Sequence, residues 1–115
     1  MIWIGEGNPR IPKPTRERLF DPDEELFVSA VTAYEYADLH HRGRIPEVAD
    51  FVGLQDQLDL RVIDFPGDLW VLASALPPIH RDPVDRMLIA HAMALSIPLV
   101  TADREIQRYP LETLW

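Results

Sequence analysis

Cysteine is absent from this chain, lysine occurs once, and no apolar run approaches the length of a membrane span. Without cysteine there are no disulfides and no thiolate metal sites, and nothing argues for export. A helix needs ~20 predominantly apolar residues to cross a bilayer. The start, Met1-Ile2-Trp3-Ile4-Gly5-Glu6, has neither the basic opening nor the long apolar stretch of a signal peptide. The expected location is the cytoplasm. Several chemistry-bearing motifs are missing too: HExxH, zinc-finger spacing, the GxSxG elbow, GxxxxGK[ST] and GxGxxG. Zincin, hydrolase-elbow, nucleotide-triphosphate and dinucleotide readings are disfavoured accordingly. Positive charge is scarce, with 11 Lys+Arg against 19 Asp+Glu and a net charge of −8. Such a protein repels phosphate backbones at long range, so contact with a nucleic acid has to be local, through arginines or bound divalent cations.

What is present is ordinary globular material. Hydrophobic residues make up 47% and charged residues 26% of 115 positions, which fits one domain with one core, residues 1–115. Ten of the eleven basic residues are arginine, the side chain suited to bidentate phosphate contacts, and Lys13 is the exception. Gly5 to Pro14 reads as loop, and a short polar helix is expected over Thr15 to Phe20. Asp21-Pro22-Asp23-Glu24-Glu25 is a turn, and Leu26 to Val31 is an apolar run of strand length. A helix from Thr32 to Arg42 is stopped by Gly43, and Pro46 opens another that continues through Leu58. Leu60 to Phe65 reads as a strand halted by Pro66-Gly67, with Asp68 placed to cap a helix through Leu76. Pro83 to Leu95 is helical, Ile97 to Thr101 a buried-type strand, Asp103 the start of a last short helix, and Leu111 to Trp115 a final strand. This alternation predicts an α/β domain around a parallel sheet.

Ligands of open α/β sheets sit beyond the carboxyl ends of the strands. Glu35 follows the first predicted strand, Asp103 follows the third, and Asp82 and Asp85 stand at a helix start; together they would form an acidic cluster. Crowded carboxylates repel unless a cation bridges them, and an all-oxygen cluster suits Mg²⁺ or Mn²⁺. Such ions hold phosphate oxygens and activate water. Each residue has a plainer role as well. Thr32-Ala33-Tyr34-Glu35 has the form of a capping box, Asp82-Pro83-Val84-Asp85 that of a capped helix start, and Asp103 can cap the last helix. His40 and His41 suit a helix C-terminus, and His91 reads as a partly buried helix residue.

The string Leu76-Pro77-Pro78-Ile79-His80-Arg81-Asp82-Pro83-Val84-Asp85-Arg86-Met87-Leu88-Ile89-Ala90-His91-Ala92 resembles the PIN-domain ribonucleases, in particular the VapC-type toxins of bacterial toxin–antitoxin pairs. Val28 to Glu35 and Leu99 to Asp103 agree with that family in order and spacing, while Glu47 to Ala75 matches only in pattern. The resemblance implies a three-layer α/β/α sandwich around a parallel sheet. It implies a Mg²⁺- or Mn²⁺-dependent endoribonuclease, silenced by a cognate antitoxin and expected as a homodimer. Carried over by position, Glu35, Asp85 and Asp103 are the catalytic and metal-binding residues. Thr101, Asp82 and Arg86 support them. His80 and Arg81, in the loop before Asp82, are candidates to touch substrate phosphate, although a loop-packing role is the plainer reading of His80.

One departure stands out. Family members begin with an apolar strand ending in Asp. Here Met1 to Gly5 resembles the stretch just after that Asp, and Asn8 to Ile11 the loop beyond it. The first strand and its ligand are expected to be absent, either because the true start lies upstream or because they have been lost. Glu6 is the nearby acid, a poor substitute. Three readings compete: the endoribonuclease toxin; a truncated or degenerate PIN-like protein that binds RNA or a partner without cleaving; and a phosphatase-like or DNA-directed metal hydrolase.

Overall fold

The computed structural model describes residues 12–43 and 51–115. The expectations for Met1 to Gly5, Glu6, Asn8 to Ile11 and the helix start at Pro46 lie outside the described residues. Proline starts the first element: Pro12 holds the N-cap and Pro14 the first turn of α1 (Lys13–Leu19). A turn follows, closed by the Asp23 amide donating to Asp21 Oδ1. Next come β1 (Leu26–Ser29) and α2 (Ala30–His41), which ends where Gly43 takes φ +72°, a conformation glycine adopts without steric cost. Then follow α3 (Phe51–Leu58), β2 (Leu60–Ile63), α4 (Leu69–Ala75) and α5 (Pro83–Leu95). The chain closes with β3 (Leu99–Val100), a 3₁₀ turn (Ile106–Arg108) and β4 (Thr113–Leu114).

The strands are parallel, as the alternation of elements requires, with β1 on β2 from Leu26↔Leu60 to Ser29↔Ile63 and β3 on β4 from Leu99↔Thr113. Among the described residues the strands form two separate pairs, and β1 and β3 meet through side chains rather than through hydrogen bonds. Leu26, Val28, Leu60 and Val100 pack together there, with Leu19, Leu114 and Trp115 against them. A larger cluster lies between α4, α5 and β3 and includes Leu76, Leu88, Ile89, Leu99, Ile106 and Tyr109. Residues 88–92 of α5 are buried in succession, so this helix is covered all round rather than on one stripe.

The strands are shorter than expected, and several element boundaries move. The first strand ends at Ser29, not Val31, because Ser29, the last residue of the ladder, also caps α2: its Oγ accepts from the Val31 amide at 3.3 Å. Thr32 is therefore the third residue of the helix, and the capping box with Glu35 does not form. Asp68 occupies the N-cap position of α4 but makes no side-chain capping bond. The helix expected from Asp103 shrinks to the 3₁₀ turn.

Candidate metal centre

The start of α5 is built as its sequence suggests. Asp82 Oδ1 accepts from the amides of Val84 at 2.8 Å and Asp85 at 3.4 Å, and Pro83 sets the first helical φ. This places Asp85 one turn in, with its side chain 26% exposed. Beyond β3, the buried Thr101 accepts from the Asp103 amide through Oγ1 at 3.0 Å. Asp103 in turn spends Oδ1 on the amides of Glu105 at 2.8 Å and Ile106 at 3.4 Å, folding the chain into the 3₁₀ turn. Its Oδ2 is left to face the α5 start.

His80 joins the two. Its Nε2 lies 2.9 Å from Asp103 Oδ2, 3.2 Å from Asp85 Oδ2 and 3.8 Å from Glu105 Oε2. Among the described residues, one ligand atom each of His80, Asp85 and Asp103 fall within 4.8 Å of one another. A cavity of about 130 Å³ adjoins them, bounded by Asp85, Thr101 and Asp103 over Leu88, Leu99 and Ile106.

The electrostatics divide the acids. Burial, then Asp82, push Asp85 up to about 6; His80 works against that rise, and Glu35 and Asp103 add to it. Asp103 goes the other way. Burial alone would raise it, but the hydrogen bond to His80 and the Glu105 and Ile106 amides hold it below the ordinary carboxylate value. Burial, then the charge of Asp82, raise Glu35, an exposed residue of α2. Burial works to lower His80, yet its bond to Asp103 and the three carboxylates outweigh this and raise it. Asp85 thus senses the charges of Asp82, Glu35 and Asp103, and Glu35 senses that of Asp82. Asp85 and Asp103 meet directly at His80, whereas Glu35 joins through the field.

The remaining expected residues fall in distinct places. Arg86 acts inside the protein: Nη2 donates to the carbonyls of Ala73 and Leu76 at 2.8 and 2.9 Å, and Nη1 to those of Pro77 and His80 at 3.1 and 3.3 Å. It closes the C-terminus of α4 and ties the His80 loop to α5. Arg81 is exposed beside the cluster. Both ring nitrogens of His80 are occupied within the protein, so a phosphate contact there would compete with these bonds. His40 and His41 close α2. His91 is fully buried rather than partly so, its Nδ1 3.3 Å from Ser29 Oγ and its ring edge-on to Phe65, and burial lowers its pKa. Glu105 was not singled out from the sequence, although its place two residues after Asp103 in the same turn was the available signal.

The donor set suits a hard divalent cation: oxygens from two carboxylates of different elements, with Asp85 raised by burial and then by neighbouring negative charge that a cation would offset. The chain matches the PIN domain family over residues 2–111. No curated protein matches it.

Proposed function

We propose that this chain, which belongs to the PIN-domain family, is an endoribonuclease dependent on Mg²⁺ or Mn²⁺ and forms a single domain. PIN domains are generally metal-dependent nucleases, and the observation that carries the reading is the meeting of Asp85 and Asp103 beside a cavity. In this reading Asp85 and Asp103, with Glu35 alongside, hold the cation. Such an ion, when bound, supplies positive charge for phosphate oxygens and lowers the pKa of a water.

The protein's own groups prepare that site. The Glu105 and Ile106 amides keep Asp103 ionised and fixed in direction. Asp85, its pKa raised to about 6, is ionised above that pH and would hold the cation with its carboxylate. Thr101 holds the backbone of Asp103, Asp82 presents Asp85 by capping its helix, and the exposed Arg81 would meet a phosphate in this reading. With a net charge of −8, the cation would supply the attraction that the surface lacks.

The VapC-type resemblance extends the proposal to a cytoplasmic toxin silenced by an antitoxin and acting as a homodimer, on a three-layer α/β/α sandwich. In support, parallel strands alternate with helices, and no described helix is long and apolar enough to cross a membrane. A second reading, a PIN-like protein that binds RNA or a partner without cleaving, is favoured by His80, which already bridges the two carboxylates.

Incubating the chain with a mixed RNA panel separates the two. The nuclease reading expects cleavage with Mn²⁺ that stops with chelator and in Asp85→Asn. Intact RNA from folded wild-type protein would favour the second.

A further inference from the structure

Every polar atom of His80 is committed. Its amide donates to Tyr109 Oη at 2.8 Å, its carbonyl accepts from Arg86 at 3.3 Å, and Nδ1 accepts from the Asp82 amide at 3.1 Å. Tyr109 is fixed in turn, donating to the Pro77 carbonyl at 2.6 Å. The imidazole, its side chain only 10% exposed, is thereby aimed with Nε2 at Asp103 and Asp85.

An imidazole nitrogen ligates a metal only through its lone pair. Nδ1 faces an N–H and so presents its lone pair inward, which leaves the proton of the neutral ring on Nε2. A second proton would go to Nδ1 and leave Nε2 protonated still. In neither form does Nε2 offer a lone pair to a cation. Distance groups His80 with Asp85 and Asp103, but hydrogen bonding removes it from the donor set.

We propose that His80 is a positioning residue: its Nε2–H donates to Asp103 at 2.9 Å, with Asp85 Oδ2 3.2 Å away, and so fixes the oxygens that these carboxylates turn to the ion. The inference rests on the reading that the two acids hold the cation. A carboxylate oxygen has two lone pairs, so it can accept this bond and ligate as well. The donor set then stays all-oxygen, which suits Mg²⁺ and Mn²⁺ better than Zn²⁺ or Ni²⁺.

Long-range ¹H–¹⁵N correlation of the histidine rings in the full chain reads the tautomer directly, without a variant. The expected result is His80 protonated on Nε2 both before and after saturation with Mg²⁺. A ring that moves its proton to Nδ1 and shows Nε2 coordinated would overturn the proposal. Calorimetry with Mn²⁺ gives a second readout. His80→Gln, whose amide keeps an N–H donor, should lose no more than about 3-fold in affinity, whereas His80→Ala should lose about 10- to 100-fold. Equal losses in both variants would overturn the positioning role. Failure of wild-type protein to bind either Mg²⁺ or Mn²⁺ overturns the metal reading beneath it; a lost Nε2 tautomer with binding intact overturns this inference alone.

Discussion

The two carboxylates that meet at His80 come from regions of opposite construction. The turn after β3 gives Asp103 two backbone amides and an imidazole, and its pKa falls. At the start of α5 the corresponding amides are taken by Asp82, the cap, so Asp85 stands among acids with its pKa raised to about 6. Both regions place an acid near a helical N-terminus, yet only one spends its amides on the acid of the site. Burial among acids on one side, and the imidazole and backbone amides on the other, make Asp103 the carboxylate that keeps its charge as pH falls through about 6.

The largest expected effect is on activity, where the two regions should behave alike. Asp85→Asn and Asp103→Asn should each lower metal-dependent RNA cleavage by more than about 100-fold, measured under single-turnover conditions. Retained activity in either variant would remove that acid from the site. Next comes the staple that joins the regions. Arg86→Lys loses the fork that reaches four carbonyls and should cost about 2–4 kcal/mol in denaturant unfolding.

Stability of the metal-free protein should then split the two acids by sign. Asp103→Ala removes the acceptor for two amides and should destabilise by about 1–2 kcal/mol. Asp85 has a folded pKa above its unfolded value, so its contribution to stability is full below the unfolded pKa, near 3.8, and is lost as pH rises through about 6. Asp85→Asn should therefore raise the melting temperature at pH 8, by the equivalent of about 1–2 kcal/mol after screening, and change little at pH 4. A lower melting temperature at pH 8 would break the comparison. The same proton competes with a cation, so Mn²⁺ affinity should weaken as pH falls below about 6 in calorimetric titrations. The smallest effect is expected at the exposed Glu35. Glu35→Gln should shift stability by under about 0.5 kcal/mol and reduce cleavage by less than either aspartate variant.

These contrasts also mark what was legible in the sequence. Asp82-Pro83-Val84-Asp85 specifies its helix start with local signals alone, cap, fixed φ and acid, and α5 forms over Pro83–Leu95 as read. The start of α2 offered two hydroxyls three residues apart. The structure uses Ser29, which also lies against the buried His91, 62 residues away in the chain; a contact of that range leaves no trace in local spacing. The helix and strand order was readable from periodicity and breakers. The grouping of the strands into two pairs among the described residues was not, because which strands pair is set by tertiary packing rather than by local pattern. Asp85 and Asp103 emerged from their places at element ends and from the family resemblance. His80 could be flagged only as a residue near the site, since its orientation depends on Tyr109, Arg86 and the Asp82 amide acting together.

Titrating the intact, metal-free chain with Mn²⁺ and following the free-ion signal by electron paramagnetic resonance tests the central claim most directly. The account predicts saturable binding by the wild-type protein at pH 7.5 that is lost in both Asp85→Asn and Asp103→Asn. Binding that survives either substitution, or no binding by the wild-type chain, would contradict it.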